Sequence, residues 1–174
     1  IEAAPINPSD LGLLLGPDAI KTMKALGVPE RPELSFEIPR ERLGGVVARI
    51  GQRLGVGNEG AGTVVAAGES ARGLIGKRVG LFGGEMYADY RKQPASEAVV
   101  LPPAATAAQG AAIFVNPLTA LGFVETARRE NHSAIVHTAA ASSLGQMLQR
   151  ICLKDGVPLV NIVRSQEQAN ILRE

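Results

Sequence analysis

The sequence predicts a two-part chain, a β-rich portion followed by an α/β portion with parallel strands. In residues 57–101 short apolar runs alternate with glycine-rich turns, which is typical of a small barrel or sandwich. Residues 104–129 are rich in alanine and have helical spacing. Residues 134–163 then follow the order strand, tight turn, helix, strand. That order is a βαβ unit, so we expect a right-handed crossover between parallel strands.

The βαβ unit is predicted element by element. Residues 134–136 form a short β-branched run, which predicts a buried strand, and small residues at 139–145 predict a turn. Asp155-Gly156 ends the helix, and residues 157–163 form the second β-rich run. The helix itself is predicted from apolar residues at helical spacing, namely Leu144, Met147, Leu148, Ile151 and Cys152.

The remaining elements follow from the same signals. Four strands are predicted in the β-rich portion, at residues 57–68, 79–82, 86–93 and 98–101. Two helices are predicted after Pro102-Pro103, at residues 104–114 and 117–129, with Pro117 in a first turn. The change from β to α places a domain boundary at Pro102-Pro103, giving domains 1–102 and 103–174.

The first 55 residues are less regular. Residues 1–4 resemble the last part of a strand, and the prolines and polar residues of 5–10 predict a turn. Ser9 or Asp10 is expected to cap a short helix that runs through Leu15 and ends at Gly16-Pro17. A second helix is predicted at residues 19–26, ended by Gly27, within an insertion or lid spanning 18–55.

Composition excludes several classes of function. The chain has 174 residues, is 45% hydrophobic and carries a net charge of +1, so it is globular and shows no sign of binding nucleic acid or a membrane surface. The single cysteine, Cys152, excludes an internal disulfide and a cysteine-cluster metal site, and it is expected to be buried. No apolar run is long enough to span a bilayer and no secretory signal is visible, so a cytoplasmic setting is predicted.

The turn after the first strand of the βαβ unit is the candidate binding site. A helix starting near Ser143 presents unpaired N–H groups to an anion such as a pyrophosphate. The pattern is Ala139-x-x-Ser142-x-x-Gly145 where the usual fingerprint is Gly-x-Gly-x-x-Gly. These seven residues alone are better explained as small side chains that let a helix pack on a sheet. The surrounding order of elements favours dinucleotide binding instead.

The residues after the second strand bear on the choice of cofactor. NAD-binding proteins carry an acidic residue there, whereas this chain has Arg164-Ser165. A guanidinium and a hydroxyl suit a 2′-phosphate, which favours NADP(H). The alternative is that Arg164 is an ordinary solvated residue, and Glu167 lies nearby in the sequence.

Taken in order, the motifs resemble those of the medium-chain dehydrogenase/reductase superfamily, in its zinc-free quinone reductase and enoyl thioester reductase branches. The resemblance runs through residues 6–10, 57–62, 76–79, 116–120, 139–145 and 161–164. It implies a GroES-like β-barrel domain followed by the first part of a Rossmann doubly wound parallel sheet, with N-terminal strands and the C-terminal part missing from this sequence. It also implies hydride transfer from NADPH to a small-molecule acceptor, and a homodimer at full length.

The resemblance assigns roles to eight residues. Asn7 would lie near the nicotinamide or substrate, and Thr119 would touch the nicotinamide side of the cofactor. Ser142, Ser143 and Leu144 would offer backbone N–H groups to the pyrophosphate, and Ala141 beside them is also expected at the cofactor. Arg164 and Ser165 would hold the 2′-phosphate. The alternatives are that Asn7 is a turn cap and that Thr119 bonds back to its own helix.

The departures from the family decide which branch is favoured. Asn58 stands where zinc enzymes of the superfamily carry a histidine, so no metal is predicted. Enoyl thioester reductases carry a proton-donating Tyr where this chain reads Gly16-Pro17-Asp18. Quinone reduction needs no such group, which favours a quinone or an α,β-unsaturated carbonyl compound as acceptor. An enoyl thioester reductase with another donor and a non-catalytic nucleotide-binding protein remain as alternatives, and no catalytic side chain is assigned.

Overall fold

The computed structural model describes residues 1–15 and 22–173, and it has the predicted mixture of β and α structure. The helices are α1 (Pro8–Leu15), α2 (Ala107–Gly110), α3 (Val115–Arg129), α4 (Ser143–Asp155) and α5 (Gln166–Ile171). The strands are β1 (Lys24–Val28), β2 (Arg31–Ser35), β3 (Glu59–Thr63), β4 (Arg78–Phe82), β5 (Val99–Val100), β6 (Ile135–His137) and β7 (Leu159–Asn161). Short 3-10 turns lie at Arg40–Gly45, Val47–Arg49, Glu69–Leu74 and Ala95–Glu97.

An antiparallel sheet of strand order β3-β4-β5 forms the centre of the first portion. The chain start lies against it, because Ala3 forms an antiparallel bridge with Ala61. Glycine makes this approach possible, since a Cβ on Gly62 would lie 2.9 Å from the Cα of Ile1. The predicted strand end at residues 1–4 is present only as this single bridge. The strands predicted at 57–68 and 98–101 are confirmed with shorter bounds, and the strand predicted at 79–82 is confirmed with one further residue at its start.

The βαβ unit is confirmed, with β6 and β7 parallel and Val136 opposite Val160. Helix α4 begins after Ser142, whose hydroxyl accepts a hydrogen bond from the Gly145 amide, and it ends at Gly156, whose φ is +67°. Its apolar face packs on α3, where the buried residues are Ala120, Val124, Leu148 and Cys152. The predicted burial of Cys152 is thus confirmed.

The prediction that the first parallel strand is buried was wrong in one respect. Val136 is 61% exposed, and Val160 beside it is 53% exposed. Ile135 and Leu159 instead face the core formed by α3 and α4. In the described part of the chain, helices cover this two-stranded sheet on one face, so alternate side chains of each strand remain open.

Residues 86–93 are not a strand, contrary to the sequence prediction. Gly83, Gly84 and Glu85 all have positive φ and turn the chain, after which Met86 and Tyr87 donate amide hydrogen bonds to carbonyls of residues 57 and 56. Met86 is then 1% exposed and belongs to the core beside β4. The alternating pattern of these residues reflects this anchoring rather than membership of the sheet.

The helix predicted at residues 19–26 was also wrong where it can be compared. Residues 19–21 lie outside the described residues, but Lys24–Val28 is β1, paired antiparallel with β2. Gly27 has a φ of +78°, and a Cβ there would lie 2.3 Å from the Arg31 carbonyl oxygen, so the hairpin requires glycine. The predicted end of the first helix at Gly16-Pro17 likewise lies outside the described residues.

Three helix boundaries differ from prediction. Helix α1 begins at Pro8, so neither Ser9 nor Asp10 precedes it; Asp10 bonds back to the Asn7 amide from the first turn. Helix α2 is shorter than the predicted 104–114: it starts at Ala107, because Thr106 caps it through a capping box with Gln109, and it ends at Gly110. Helix α3 begins two residues before Pro117.

None of the helices in residues 1–15 and 22–173 is long and apolar enough to cross a bilayer.

Candidate functional site

The turn between β6 and α4 leaves backbone donors available at the helix N-terminus. Ser142 uses its hydroxyl to accept from the Gly145 amide at 3.1 Å, and its own amide donates to the Ala139 carbonyl. The amides of Ser143 and Leu144 have no acceptor among the described residues. Ser142 therefore satisfies one donor, and two successive N–H groups remain at the positive end of a helix of 13 residues.

Small residues hold this turn tightly against the helix. A Cβ on Gly145 would lie 2.2 Å from the Ala140 carbonyl oxygen, closer than any real contact, and Ala140 is 1% exposed. The Ala141 carbonyl accepts from the Gln146 side chain at 3.1 Å. Gly145 is thus required for close packing of the turn on the helix, which is a separate requirement from anion binding.

Arg164 and Ser165 follow β7 as the turn follows β6, so both lie at the carboxyl edge of the parallel pair. Ser165 caps α5 by accepting from the Gln168 amide, and the Arg164 amide donates to the Gln168 side chain at 2.9 Å. The Arg164 guanidinium has no acidic partner among the described residues. It is therefore available to an anionic ligand.

Glu167 is the acidic group nearest to this pair in sequence. The Ser165 hydroxyl and then its own backbone amide stabilise its carboxylate and lower its pKa. Glu167 is consequently ionised at neutral pH, and its negative charge lies in the first turn of α5.

A buried network around Asn7 was not found from the sequence. Asn7, Asp10 and Glu59 are 6%, 1% and 1% exposed. Asp10 accepts from the backbone amides of Asn7 and Asn58 at 2.8 and 2.9 Å. Glu59 accepts from the Asn7 side-chain amide at 3.1 Å and from the amides of Phe114 and Val115 at 3.0 and 2.9 Å. The signal available in the sequence was an acidic residue inside a glycine-rich strand, where burial demands partners.

Thr119 lies on α3, one turn beyond the end that Glu59 contacts. Its hydroxyl donates to the Val115 carbonyl at 2.6 Å, which is the helix bond named as the alternative in the sequence analysis. The same hydroxyl oxygen retains acceptor capacity and the side chain is exposed. This contact therefore leaves its proposed role as a ligand residue untested.

The predicted residues form two groups. Residues 141–144 and 164–165 share one edge of the parallel pair, while Asn7 is joined through Glu59 to the helix that carries Thr119. Helix α3 links the groups, because its N-terminus contacts Glu59 and its body packs on α4. An open cavity of about 350 Å³ lies elsewhere, lined by residues 1–4 and 86–89, and includes none of the predicted residues.

Two further features bear on the chemistry of the site. In the described part of the chain, no three His, Cys, Asp or Glu side chains come together as a metal site. Tyr87 donates its hydroxyl to the Pro5 carbonyl at 3.0 Å, close to Asn7 in sequence. Burial, and then the Asp10 carboxylate, raise the pKa of this phenol, so it stays protonated at neutral pH.

The chain resembles three solved structures along most of its length. It matches a Mesorhizobium loti protein provisionally named NADPH:quinone reductase, at 29% identity and a TM-score of 0.66, over 99% of this chain and 44% of that one. A Bacillus thuringiensis protein with the same provisional name matches at 20% identity and a TM-score of 0.62, over 83% and 51%. A mycobacterial protein solved with NADPH matches at 20% and 0.60, over 87% and 46%.

Part of the chain is also similar to a curated protein. The highly reducing polyketide synthase phiA of a fungal species is 30% identical over 121 residues, which is 68% of this chain and 5% of that protein. No family model matches the chain. Together with the motifs, these similarities place the chain in the medium-chain dehydrogenase/reductase superfamily. The chain spans less than half the length of the Mesorhizobium loti protein and a small part of the polyketide synthase.

Proposed function

We propose that these residues belong to an NADPH-dependent oxidoreductase that transfers hydride to a quinone or an α,β-unsaturated carbonyl compound, without zinc. The observation that carries the proposal is the carboxyl edge of the β6–β7 pair. Two unpaired amides, of Ser143 and Leu144, and the unpaired guanidinium of Arg164 occur together there among the described residues. Free donors and positive charge at such an edge suit a phosphorylated dinucleotide.

The residues present fit that cofactor. The amides of Ser143 and Leu144 would bind the pyrophosphate, with Ala141 and Ser142 forming the wall of the turn. The Arg164 guanidinium would hold the 2′-phosphate, since it makes paired, charge-assisted hydrogen bonds to phosphate. The Ser165 hydroxyl would join it by donating to the phosphate in place of the Glu167 carboxylate. Similarity to a protein solved with NADPH supports this choice of cofactor.

The same proposal extends to domain organisation. Residues 1–102, with the β3-β4-β5 sheet, would be part of a GroES-like barrel, and residues 103–174 would begin a Rossmann domain. The order of an antiparallel sheet followed by a parallel βαβ unit supports this division. Substrate and nicotinamide would then meet between the domains, near Asn7 and Thr119. The homodimer and the cytoplasmic setting stay predictions.

When bound, NADPH supplies a hydride from C4 of its reduced ring. The contribution of this chain would be to bind the cofactor by its phosphates, to orient the ring and to exclude water from the cleft. A quinone is electron-poor enough to accept hydride with a proton taken from water, so no acid–base side chain is obligatory. No catalytic residue is assigned for this reaction.

One observation favours the enoyl thioester reductase as a second candidate. The similarity to a highly reducing polyketide synthase supports it, and such a reduction benefits from a positioned proton donor. Tyr87, a protonated phenol beside the Asn7 segment, is the donor that this alternative would use in place of the Tyr missing at residues 16–18. Replacing Tyr87 with Phe should then lower kcat on an enoyl thioester and leave quinone reduction unchanged.

Nucleotide titration of the full polypeptide tests the proposal. NADPH should bind more tightly than NADH, and Arg164→Ala should weaken NADPH by about 1–3 kcal/mol while changing NADH little. Arg150→Ala, an exposed arginine on α4, is the matched control and should change neither. Failure to bind either nucleotide would exclude both enzyme functions. Binding without oxidation by any quinone, enone or enoyl thioester would support a non-catalytic family member.

A further inference from the structure

Glu59 occupies a position that joins three separated parts of the chain. It lies on β3 and is 1% exposed, and every contact to its carboxylate comes from an N–H donor. One oxygen accepts from the amides of Phe114 and Val115, at the N-terminus of α3. The other accepts from the side-chain amide of Asn7. Because a buried carboxylate needs several donors, these contacts form one fixed arrangement.

This arrangement decides which way the Asn7 amide faces. The amide nitrogen must point to Glu59, because the opposite orientation would set the amide oxygen against a carboxylate oxygen. The Asn7 backbone is held as well, since its N–H donates to Asp10 at 2.8 Å. The amide oxygen has no donor among the described residues. Asn7 therefore offers an acceptor of defined direction on a residue that is 6% exposed.

We propose that Glu59 is a positioning residue, which acts through Asn7 by fixing its amide oxygen as the acceptor for a hydrogen-bond donor of the bound nucleotide. The proposal rests on the function proposed above, because it takes Asn7 to face the nicotinamide end of the cofactor. Two donors exist there, the carboxamide N–H group and a ribose hydroxyl. Both have the same chemistry, and they can be separated with a nucleotide analogue.

Replacing Glu59 with Gln reverses the polarity seen by Asn7. The Gln oxygen is needed by the two amides of α3, so the Gln nitrogen must face Asn7. Two donors would then meet, and the Asn7 amide turns over to present its oxygen inward and its nitrogen to the ligand. Glu59→Gln keeps the volume and the helix contact but changes the acceptor offered to the nucleotide into a donor.

A double-mutant cycle on NADPH affinity distinguishes this role from simple support of the helix. Asn7→Ala and Glu59→Gln should each weaken NADPH by about fivefold, as expected for one hydrogen bond, and the double variant should also lose only about fivefold. Additive losses, about 25-fold in the double variant, would show that Glu59 acts independently of Asn7 and would overturn the proposal. So would an unchanged affinity in Asn7→Ala, which tests the proposal even if Glu59→Gln fails to fold.

The reduced 3-acetylpyridine analogue of NADPH, which lacks the carboxamide N–H group, identifies the donor. If the carboxamide is the donor, the variants weaken NADPH and leave the analogue unchanged; if a hydroxyl is the donor, both nucleotides weaken equally. Glu69→Gln, an exposed glutamate whose side chain is 88% accessible, is the control and should change neither. Wild-type protein that binds neither nucleotide would instead contradict the proposed function itself.

Discussion

Gly145 gives the sharpest test of how the turn after β6 is built. In Gly145→Ala the added Cβ would lie 2.2 Å from the Ala140 carbonyl oxygen and 2.7 Å from its Cα. An ordinary contact begins near 3.4 Å, so turn and helix must separate by about 1.2 Å. The obstacle is backbone rather than a flexible side chain, which means that the N-terminus of α4 has to move.

The expected cost follows from two opposing terms. Overpacking of this kind costs about 1–3 kcal/mol, and the gain in helix propensity from Gly to Ala is about 1 kcal/mol. We therefore expect a net loss of about 0–2 kcal/mol in the free energy of unfolding. Because the shift displaces the Ser143 and Leu144 amides, the loss in NADPH binding free energy should exceed the loss in the free energy of unfolding.

Gly122→Ala is the matched control, because Gly122 lies on an exposed face of α3 and nothing lies within 4 Å of the added Cβ. It should stabilise the protein by about 0.5–1 kcal/mol and leave NADPH affinity unchanged. Urea unfolding, analysed for midpoint and slope, measures the first quantity, and fluorescence titration with NADPH the second. Equal stabilisation by both substitutions, with nucleotide affinity intact, would refute the close approach at Gly145.

Three further predictions concern single side chains. Leu148→Ala, at a fully buried position in the α3–α4 core, should lower the free energy of unfolding by about 2–5 kcal/mol, whereas Leu153→Ala on the exposed side of the same helix should change it little; thermal or urea unfolding measures both. Cys152 should react with a thiol reagent only after unfolding, because burial raises the pKa of its thiol. As pH rises, this thiol ionises in the unfolded chain before it does in the folded one, so the free energy of unfolding should fall at alkaline pH, and it should fall less in Cys152→Ala. Glu167→Gln should strengthen NADPH binding about twofold at low salt and less at high salt, with NADH unaffected; no change in NADPH affinity would mean that this carboxylate lies too far from the 2′-phosphate to matter.

Local signals predicted the βαβ unit well. The helix from Ser143 to Asp155 follows from apolar residues at helical spacing, a serine cap and Gly156 at the end, all of which act within a few residues. The strands at residues 59–63 and 78–82 follow likewise from runs bounded by glycine. Residues 86–93 also alternate between apolar and polar side chains as a strand does, but the positive φ values before them direct the chain to residues 56–57. The alternation alone does not distinguish a strand from a loop that is anchored in this way.

The turn with its small residues, the buried cysteine and the parallel strand pair were determined by the sequence alone, because backbone geometry, caps and periodicity are short-range properties. The use of Glu59 was decided by tertiary structure, since its partners at residues 7 and 114–115 lie about 50 residues away on either side. From the sequence one can infer only that a buried carboxylate needs hydrogen-bond donors. Which donors come within reach depends on how the strand, the first turn and α3 pack together, and that is why the network around Asn7 emerged only with the fold.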